Sequence, residues 1–331
     1  MEFIEKSCVL RNFEFASKER MSELKIGYRI VGTPKQENGS TINAVLMLHG
    51  TTGSGKQFTQ PSTSDFLFGK GQPLDVEKYF IILPDAIGHG ASSKPSDGLR
   101  SSFPRYCYGD IVKAQYQLVS EELAISRLLL IIGTSMGGMQ AWMWASQFPE
   151  MMRAAIPIAS LPEKVSGRNL LWRRILIDMI RSDPGYSDGR YTSQPAALAD
   201  AWELFNLMVD SPAHLRDAFD GPESADRHIK DLKASALQAE DANDVMWEFD
   251  ASRDYDPSPE KVVAPLLAIN FADDEINPEK LGVLQSTIRK VKRGQAVTVP
   301  VGPKSRGHQS LRVAEIWAPY VQRFMEEVFG K

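Results

Sequence analysis

Ser135 is the residue of this sequence best placed for nucleophilic chemistry, because Gly133 and Gly137 complete a Gly-x-Ser-x-Gly pattern around it. An apolar run, residues 128–132, precedes the pattern and a helical stretch, residues 139–148, follows it, which is the strand–turn–helix setting of a nucleophile elbow. The pattern therefore predicts a serine hydroxyl at the carboxyl end of a central strand, beside the positive end of a helix. The alternative is an ordinary glycine-rich turn with a spectator serine.

A serine hydroxyl becomes a good nucleophile only when a base takes its proton and a carboxylate holds that base. Of the five histidines, only His308 follows the last predicted strand. The others precede the serine or lie in a helical region: His49, His89, His214 and His228. Since the chain order in elbow-type enzymes is Ser, Asp, His, we predict His308 as the base. The alternative is a loop histidine without a catalytic role.

Three carboxylates follow the strand predicted at residues 264–271, namely Asp273, Asp274 and Glu275. Pro278 stands four residues after Asp274, and a proline at that distance commonly begins the next helix. This register favours Asp274 as the triad acid. Asp273 stays open as the alternative, and we expect Glu275 to face solvent.

The oxyanion that forms during acyl transfer needs two fixed hydrogen-bond donors. The backbone N–H of Met136, directly after the serine, is one candidate. The other is expected from the loop after the strand that ends at Leu48, where Thr51 is the predicted donor through its backbone.

The same loop also fits the glycine and lysine spacing of a phosphate-binding P-loop over residues 50–56. However, Gln57 stands where Mg²⁺ coordination requires Ser or Thr, and Pro61 soon interrupts any helix. A P-loop would also leave the serine elbow unexplained. We therefore favour the oxyanion role for this loop.

Strands and helices alternate along the sequence, which predicts an α/β fold with a mostly parallel central sheet and helices on both faces. The strands are predicted at residues 25–31, 44–48, 79–83, 154–159, 264–271 and 295–301, with helices over 110–123 and the apolar-periodic tail, 311–329. The strand pattern stops between residues 161 and 255, where several helical runs are expected to form an inserted lid. The predicted domains are thus a core of residues 1–160 and 256–331, and a helical lid of residues 161–255.

The bulk composition narrows the class of protein. The 331 residues are 43% hydrophobic and 24% charged, with a formal net charge of −4, so neither nucleic acid nor a membrane surface is an expected partner. Two cysteines, Cys8 and Cys107, are too few for a disulfide framework and lack metal-ligand spacing, so no metal site is expected. No stretch has the pattern of a signal peptide, and a cytoplasmic location is the expectation.

Ser135, Asp274 and His308 together resemble the α/β-hydrolase superfamily over essentially the whole chain. The resemblance narrows to the homoserine O-acetyltransferase branch at Phe103-Pro104 and at residues 110–115, 135–141, 183–184 and 189–191. It implies an α/β-hydrolase fold and a Ser–Asp–His triad that carries an acyl group from coenzyme A to an amino-acid hydroxyl. It also implies a possible homodimer, since the related acetyltransferases often pair through their lids.

The sequence departs from that branch at three places. Gln309 stands where an aspartate typically helps to hold the substrate ammonium, and Thr134 replaces the usual glycine before the serine. The lid arginine for the substrate carboxylate has no secure counterpart, although Arg173 and Arg174 are nearby. The predicted substrate contacts are Thr52, Trp172, Arg174 and Gln309.

These departures favour a serine acyl hydrolase that acts on a small-molecule ester or thioester without a cofactor. The nearest alternative is an acyltransferase, for which acetyl-CoA would be a co-substrate. A third interpretation is a binding protein that kept the fold but lost turnover.

Overall fold

The computed structural model describes residues 1–330. Its strands are β1 (Ile4–Glu14), β2 (Arg20–Val31), β3 (Gln36–Glu37), β4 (Ser40–Thr41), β5 (Ala44–Leu48), β6 (Phe80–Pro84), β7 (Leu130–Thr134), β8 (Ala155–Ile158), β9 (Leu266–Phe271) and β10 (Gly294–Val299). Its α-helices are α1 (Pro61–Leu67), α2 (Tyr108–Gln117), α3 (Met136–Gln147), α4 (Gly167–Ser182), α5 (Ala197–Val209), α6 (Pro212–Ala218), α7 (Pro222–Ala239), α8 (Ala242–Asp250), α9 (Val283–Thr287) and α10 (Ala314–Phe329). Within these residues no helix is both long and apolar enough to cross a bilayer.

Eight strands form one sheet in the order β1-β2-β6-β5-β7-β8-β9-β10. The first two strands are antiparallel to their neighbours, and the strands from β6 to β10 run parallel. Every residue of β5, β6, β7 and β9 is buried, as expected for parallel strands covered on both faces. The predicted α/β-hydrolase fold with a mostly parallel sheet is confirmed.

Alternate residues of each strand enter separate apolar layers, because successive side chains point to opposite faces. Leu46 packs in the layer that contains α2 and α3, whereas its neighbour Val45 packs in the layer that contains α1 and α10. The layer under α3 holds Trp142 and Trp144, both without solvent exposure. The elbow helix is therefore fixed against the sheet by large apolar side chains.

Two elements differ from the sequence-based expectation. The strand predicted at residues 25–31 begins five residues earlier, and its partner β1 was not predicted at all. Most β1 residues are exposed because β1 is an edge strand, so the apolar pattern that reveals a buried strand is weak there. The helix predicted over residues 110–123 ends at Gln117 and continues as a single π-helical turn, Leu118–Glu122.

Helices α4 to α8 are inserted between β8 and β9, within the residues predicted for the lid. Their buried side chains form an apolar cluster separate from the two layers on the sheet, with Trp172, Phe205 and Phe249 packed ring against ring. The insertion thus has a core of its own, which explains why this stretch is rich in aromatic residues.

Asp244 on α8 attaches the insertion to the sheet domain. Its carboxylate accepts hydrogen bonds from the backbone N–H of Ser96 at 2.8 Å and from the Ser96 hydroxyl at 2.6 Å. Burial disfavours the charged carboxylate and raises the pKa of Asp244 to about 6, although the two Ser96 donors oppose that shift. The attachment is therefore weaker at neutral pH than its hydrogen bonds alone suggest.

We predict that Asp244→Asn changes how stability depends on pH. The pKa of this carboxyl is higher in the folded state than in the unfolded state, so the folded state binds more protons between about pH 4 and pH 6. Folding therefore becomes less favourable as the pH rises through this range. Asparagine removes this effect. The stability of the variant relative to wild type, from urea unfolding, should therefore increase by roughly 2 kcal/mol between pH 4 and pH 7. The exposed control Asp188→Asn should show no such trend, and a parallel trend in both variants would contradict the prediction.

Candidate active site

Ser135 occupies a strained turn between β7 and α3, with φ of 53° and ψ of −113°. The turn leaves no room for side chains on either side. A Cβ on Gly133 would lie 2.1 Å from the carbonyl oxygen of Gly137, and a Cβ on Gly137 would lie 2.0 Å from that of Leu48. A non-glycine residue at positive φ costs of order 1–3 kcal/mol, and the packed strand and helix hold it there.

The structure brings Ser135, His308 and Asp274 into one hydrogen-bonded chain. The Ser135 hydroxyl donates to Nε2 of His308 at 2.8 Å, and Nδ1 of His308 donates to Oδ2 of Asp274 at 2.8 Å. All three side chains are buried. The ring nitrogen that faces the serine is therefore free to accept a proton, which is the arrangement that a general base requires.

Only one of the three carboxylates after β9 reaches the histidine. Asp274 is the residue bonded to His308, and it is almost fully buried. Asp273 accepts the backbone N–H of Gly307 at 2.9 Å and so holds the loop that carries the histidine. Glu275 pairs with Arg168 at 2.6 Å in a partly exposed position. The geometry thus favours Asp274 over both neighbours as the acid.

The Asp274 carboxylate is kept charged by its neighbours. Burial alone disfavours the charged form, but the adjacent His308 and the donors of Asn277 outweigh it and hold the pKa of Asp274 below its ordinary value. A charged carboxylate can stabilise the imidazolium that forms when His308 takes a proton.

The backbone N–H groups of Thr51 and Met136 stay the predicted oxyanion donors, and Thr51 lines the cavity beside Ser135. Met136 is the first residue of α3, where N–H groups have no partner within the helix. The Gly50 carbonyl, which shares a peptide unit with the Thr51 N–H, accepts hydrogen bonds from His49 Nδ1 at 2.8 Å and from the Gly53 N–H at 3.1 Å. These contacts fix the plane of that peptide unit.

Gln57 connects this loop to the serine turn. Its side-chain carbonyl accepts the Gly50 N–H at 3.1 Å, and its amide donates to the Thr134 hydroxyl at 2.9 Å. Thr134 is one of the departures from the acetyltransferase pattern, so this hydrogen bond depends on a residue that a glycine could not replace. Sequence patterns do not reveal this pairing, because 77 residues separate the two partners.

The P-loop interpretation does not fit the conformation of residues 50–56. The Gly55 N–H donates to the buried carboxylate of Asp85 at 2.7 Å, and the Gly53 N–H donates within the loop. The chain then forms a short 3-10 turn, Gly55–Thr59, rather than an α-helix. N–H groups already engaged in this way cannot surround a phosphate.

A cavity of about 30 Å³ lies beside Ser135. Three of the four predicted substrate contacts line it, namely Thr52, Trp172 and Gln309. A second cavity of about 550 Å³ lies between the lid and the loops after β5 and β6. Thr52, Gln57 and Arg312 line both cavities, so the larger space adjoins the smaller one.

The fourth predicted contact, Arg174, lines neither of these cavities. Its guanidinium is 47% exposed and pairs with Asp250 at 2.8 Å on the outside of the lid. The preceding residue, Arg173, lines the cavity instead. Neighbours on a helix are rotated by about 100°, so only one of two adjacent arginines can face inward.

Arg173 is 3% exposed and carries a positive charge that no carboxylate within residues 1–330 approaches to 4.0 Å. Its Nε donates to Asn169 at 2.9 Å, its guanidinium lies 5.0 Å from the ring centre of Trp172, and its Nη1 has no partner. Helical spacing could have identified it, since it shares one face of α4 with the buried Leu176 and Ile180.

Among residues 1–330, no group of three or more His, Cys, Asp or Glu side chains is arranged to hold a metal ion. Both cysteines are buried and free, and burial raises the pKa of the Cys8 thiol to about 11. These thiols therefore lack the ionised form that reacts readily.

The family model described as alpha/beta hydrolase fold matches residues 43–286. A homoserine O-acetyltransferase from Pelobacter propionicus is 30% identical, over 94% of this chain and 93% of its own length. A probable acyltransferase from Methanothermobacter thermautotrophicus is 28% identical, over 83% of this chain and 84% of its own length. The chain belongs to the α/β-hydrolase family and is an enzyme of this fold, within the branch that resembles homoserine O-acetyltransferases.

Solved structures show the same fold. An acetylester hydrolase from Corynebacterium glutamicum superposes with a TM-score of 0.84 at 22% identity, covering 99% of this chain and 96% of that chain. A homoserine O-acetyltransferase from Bacillus anthracis also gives 0.84, at 20% identity over 98% of both chains. Hydrolases and transferases thus share this architecture, and the fold alone does not separate the two reactions.

We predict that Gly137→Ala disrupts the serine turn. The added Cβ would lie 2.0 Å from the backbone oxygen of Leu48, which cannot move without displacing β5. The free energy of unfolding should fall by about 3 kcal/mol or more, as judged by urea unfolding. Gly302→Ala is the matched control, because a Cβ there meets no atom within 4 Å. Equal stability of the two variants would contradict the tight turn.

Proposed function

We propose that this enzyme is a serine-dependent acyl hydrolase that cleaves a small ester or thioester through an acyl-serine intermediate. The hydrogen-bonded chain from Ser135 through His308 to Asp274 is the observation that carries the proposal. The relatives named as acyltransferases and the structural neighbours named as esterases support acyl chemistry at this position.

In the first half-reaction the Ser135 oxygen attacks the substrate carbonyl while His308 Nε2 takes the hydroxyl proton. The Thr51 and Met136 N–H groups stabilise the negative oxygen of the tetrahedral intermediate. The intermediate collapses, and the alcohol or thiol leaves with the proton from His308. In the second half-reaction His308 takes a proton from water, whose oxygen attacks the acyl carbon. The second tetrahedral intermediate then collapses, and His308 returns the proton to the departing Ser135 oxygen as the carboxylic acid is released.

The two cavities suggest which part of the substrate each of them would hold. About 30 Å³ beside Ser135 accommodates two or three water-sized groups, which suits a short acyl chain such as acetyl. The adjoining cavity of about 550 Å³ offers space for the leaving group. Arg173 supports a negatively charged substrate, because its guanidinium is buried, no carboxylate among residues 1–330 pairs with it, and burying an uncompensated charge is costly. The reaction needs neither a metal nor an organic cofactor.

The second candidate is an acyltransferase that uses acetyl-CoA, and the relative at 30% identity favours it. The two reactions share the triad and differ in whether water or another hydroxyl meets the acyl-enzyme. Gln309 lines the Ser135 cavity without a charge that could hold an ammonium group, which favours hydrolysis over transfer to an amino acid. A protein that only binds ligand is disfavoured by the complete Ser–His–Asp hydrogen-bond chain.

We predict that a fluorophosphonate probe modifies Ser135, as detected by intact mass and peptide mapping. Ser135→Ala should remove both the adduct and esterase activity, with a loss of about 10³-fold or more, because no other group can form the acyl intermediate. Ser160→Ala is a control, since Ser160 is also buried but belongs to no part of the proposed machinery. Full activity in Ser135→Ala would end the proposal.

Hydrolysis and transfer are separated by product analysis with acetyl-CoA, with and without homoserine. We expect acetate and free coenzyme A at the same rate in both reactions. Formation of O-acetylhomoserine would replace the hydrolase proposal with the acyltransferase one.

We predict that Arg173→Gln weakens binding of negatively charged esters selectively. For phenyl hydrogen malonate, whose carboxylate is on the short acyl group assigned to the cavity that Arg173 lines, KM should rise at least about tenfold, since a charge-assisted contact contributes roughly 1.5–3 kcal/mol. For the uncharged amide of the same acyl group, phenyl malonamate, KM should change less than about threefold. Arg174→Gln is the matched control, because that side chain pairs with Asp250 outside the cavity. An equal effect of Arg173→Gln on both esters would exclude an anion-binding role.

A further inference from the structure

The side chain of Asn277 lies against the proposed acid but belongs to neither the triad nor the oxyanion donors. It is 2% exposed and stands three residues after Asp274, in the loop that follows β9. Its Nδ2 donates to Oδ2 of Asp274 at 3.0 Å and to the carbonyl oxygen of Ala159 at 3.0 Å. The same nitrogen lies 3.5 Å from His308 Nδ1.

The surroundings of Asn277 fix the orientation of its amide. Nδ2 carries two hydrogens, and the carboxylate and the carbonyl oxygen beside it can only accept. With the amide reversed, Oδ1 would face two acceptors in a buried site. The nitrogen is therefore the atom that faces Asp274.

Asp274 receives four hydrogen bonds, which divide evenly between its oxygens. Oδ1 accepts the backbone N–H groups of Ile276 at 2.8 Å and Asn277 at 3.1 Å. Oδ2 accepts His308 Nδ1 and the Asn277 amide. Among residues 1–330, Asn277 is thus the only side chain besides His308 that donates to the oxygen facing the base. Without the Asn277 amide, Oδ2 of Asp274 would bond only the His308 ring, and its negative charge would interact more strongly with His308.

The bond to Ala159 connects the acid to the serine turn. Ala159 directly follows β8 at a positive φ of 52°, and its N–H donates to the carbonyl oxygen of Ile269 on β9. Ile158, the preceding residue, accepts the Ser135 N–H at 2.8 Å. A short path of hydrogen bonds therefore runs from Asp274 through Asn277 and the end of β8 to the backbone of Ser135.

We propose that Asn277 is a positioning residue, whose amide fixes the Asp274 oxygen that bonds His308 and sets its distance from the strand supporting Ser135. The proposal rests on the proposed function, because it concerns the same acid and base. Asp274 and His308 are the ionisable groups within hydrogen-bond range of the Asn277 amide in the described residues.

Asn277→Ala and Asn277→Asp test the proposal through the pH profile of kcat/KM, whose acidic limb reports the ionisation of the essential base. Alanine removes the competing donor, so more negative charge acts on His308 and the acidic limb should move up by about half a pH unit. Aspartate keeps the shape and adds negative charge, so the limb should move further in the same direction. At the optimum, kcat/KM should fall about tenfold or more in both variants.

Asn270→Ala is the matched control. Asn270 is also buried, and its side chain accepts the Ser160 N–H at 3.1 Å without touching the triad. We expect its limb to coincide with wild type and its kcat/KM to stay within about threefold. If the Asn277 variants lost activity but kept the wild-type limb, Asn277 would be only a structural link between two loops, and the proposal would be overturned.

A second measurement does not depend on turnover. The proton between His308 Nδ1 and Asp274 should give a downfield NMR signal, which Asn277→Ala should shift and Asn270→Ala should leave in place. This result would support the positioning role even if no ester were hydrolysed. Failure of the hydrolase proposal can therefore be distinguished from failure of the positioning proposal. An unchanged signal in a folded Asn277→Ala variant would overturn the proposal. If alanine does not fold, Asn277→Asp provides the same test, because it keeps the shape of the side chain and lacks the donor.

Discussion

The hydrogen bond between Ser135 and His308 is the interaction on which the site depends, and it joins residues 173 positions apart. Only the parallel sheet makes this contact possible, because the strands that precede these residues end at the same edge. The sharp turn at Ser135 lifts the hydroxyl to that edge, while the loop after β10 supplies the ring. The two glycines at positions 133 and 137 are therefore as necessary to the geometry as the side chains that react.

A buried carboxylate such as that of Asp274 must offset the loss of water around it. The structure does so by giving the acid four hydrogen bonds, two from backbone and two from side chains. Asp273 and Glu275, one residue either way, make contacts that hold the histidine loop and the lid instead. Neighbouring carboxylates with identical chemistry thus separate into different roles through their surroundings alone.

A feature could be predicted from the sequence when it depends on neighbouring residues or on the order of elements along the chain. The elbow, the strands of the core and the candidate base depend on local spacing and chain order, and the fold so predicted is confirmed. Arg173 was missed in favour of Arg174, although the helical phase with Leu176 distinguishes them. The contacts of Asn277 and Gln57 could not have been predicted from the sequence. Ala159 and Thr134, with which they form hydrogen bonds, lie more than 70 residues away, and only tertiary packing brings them together. The edge strand β1 was missed because its exposed residues give little apolar pattern.

Around Ser135 the chain departs from the acetyltransferase sequence pattern at Thr134 and Gln309. Thr134 allows Gln57 to link the oxyanion loop to the serine turn, which a glycine would not. Gln309 leaves the small cavity without a carboxylate at that position, whereas Arg173 gives it an unpaired positive charge. An amino acid that accepts the acyl group would need partners for its ammonium and its carboxylate, and the small cavity offers a partner only for the carboxylate. Water needs neither, and this difference in electrostatics supports the proposed hydrolysis of a negatively charged ester over transfer to an amino acid.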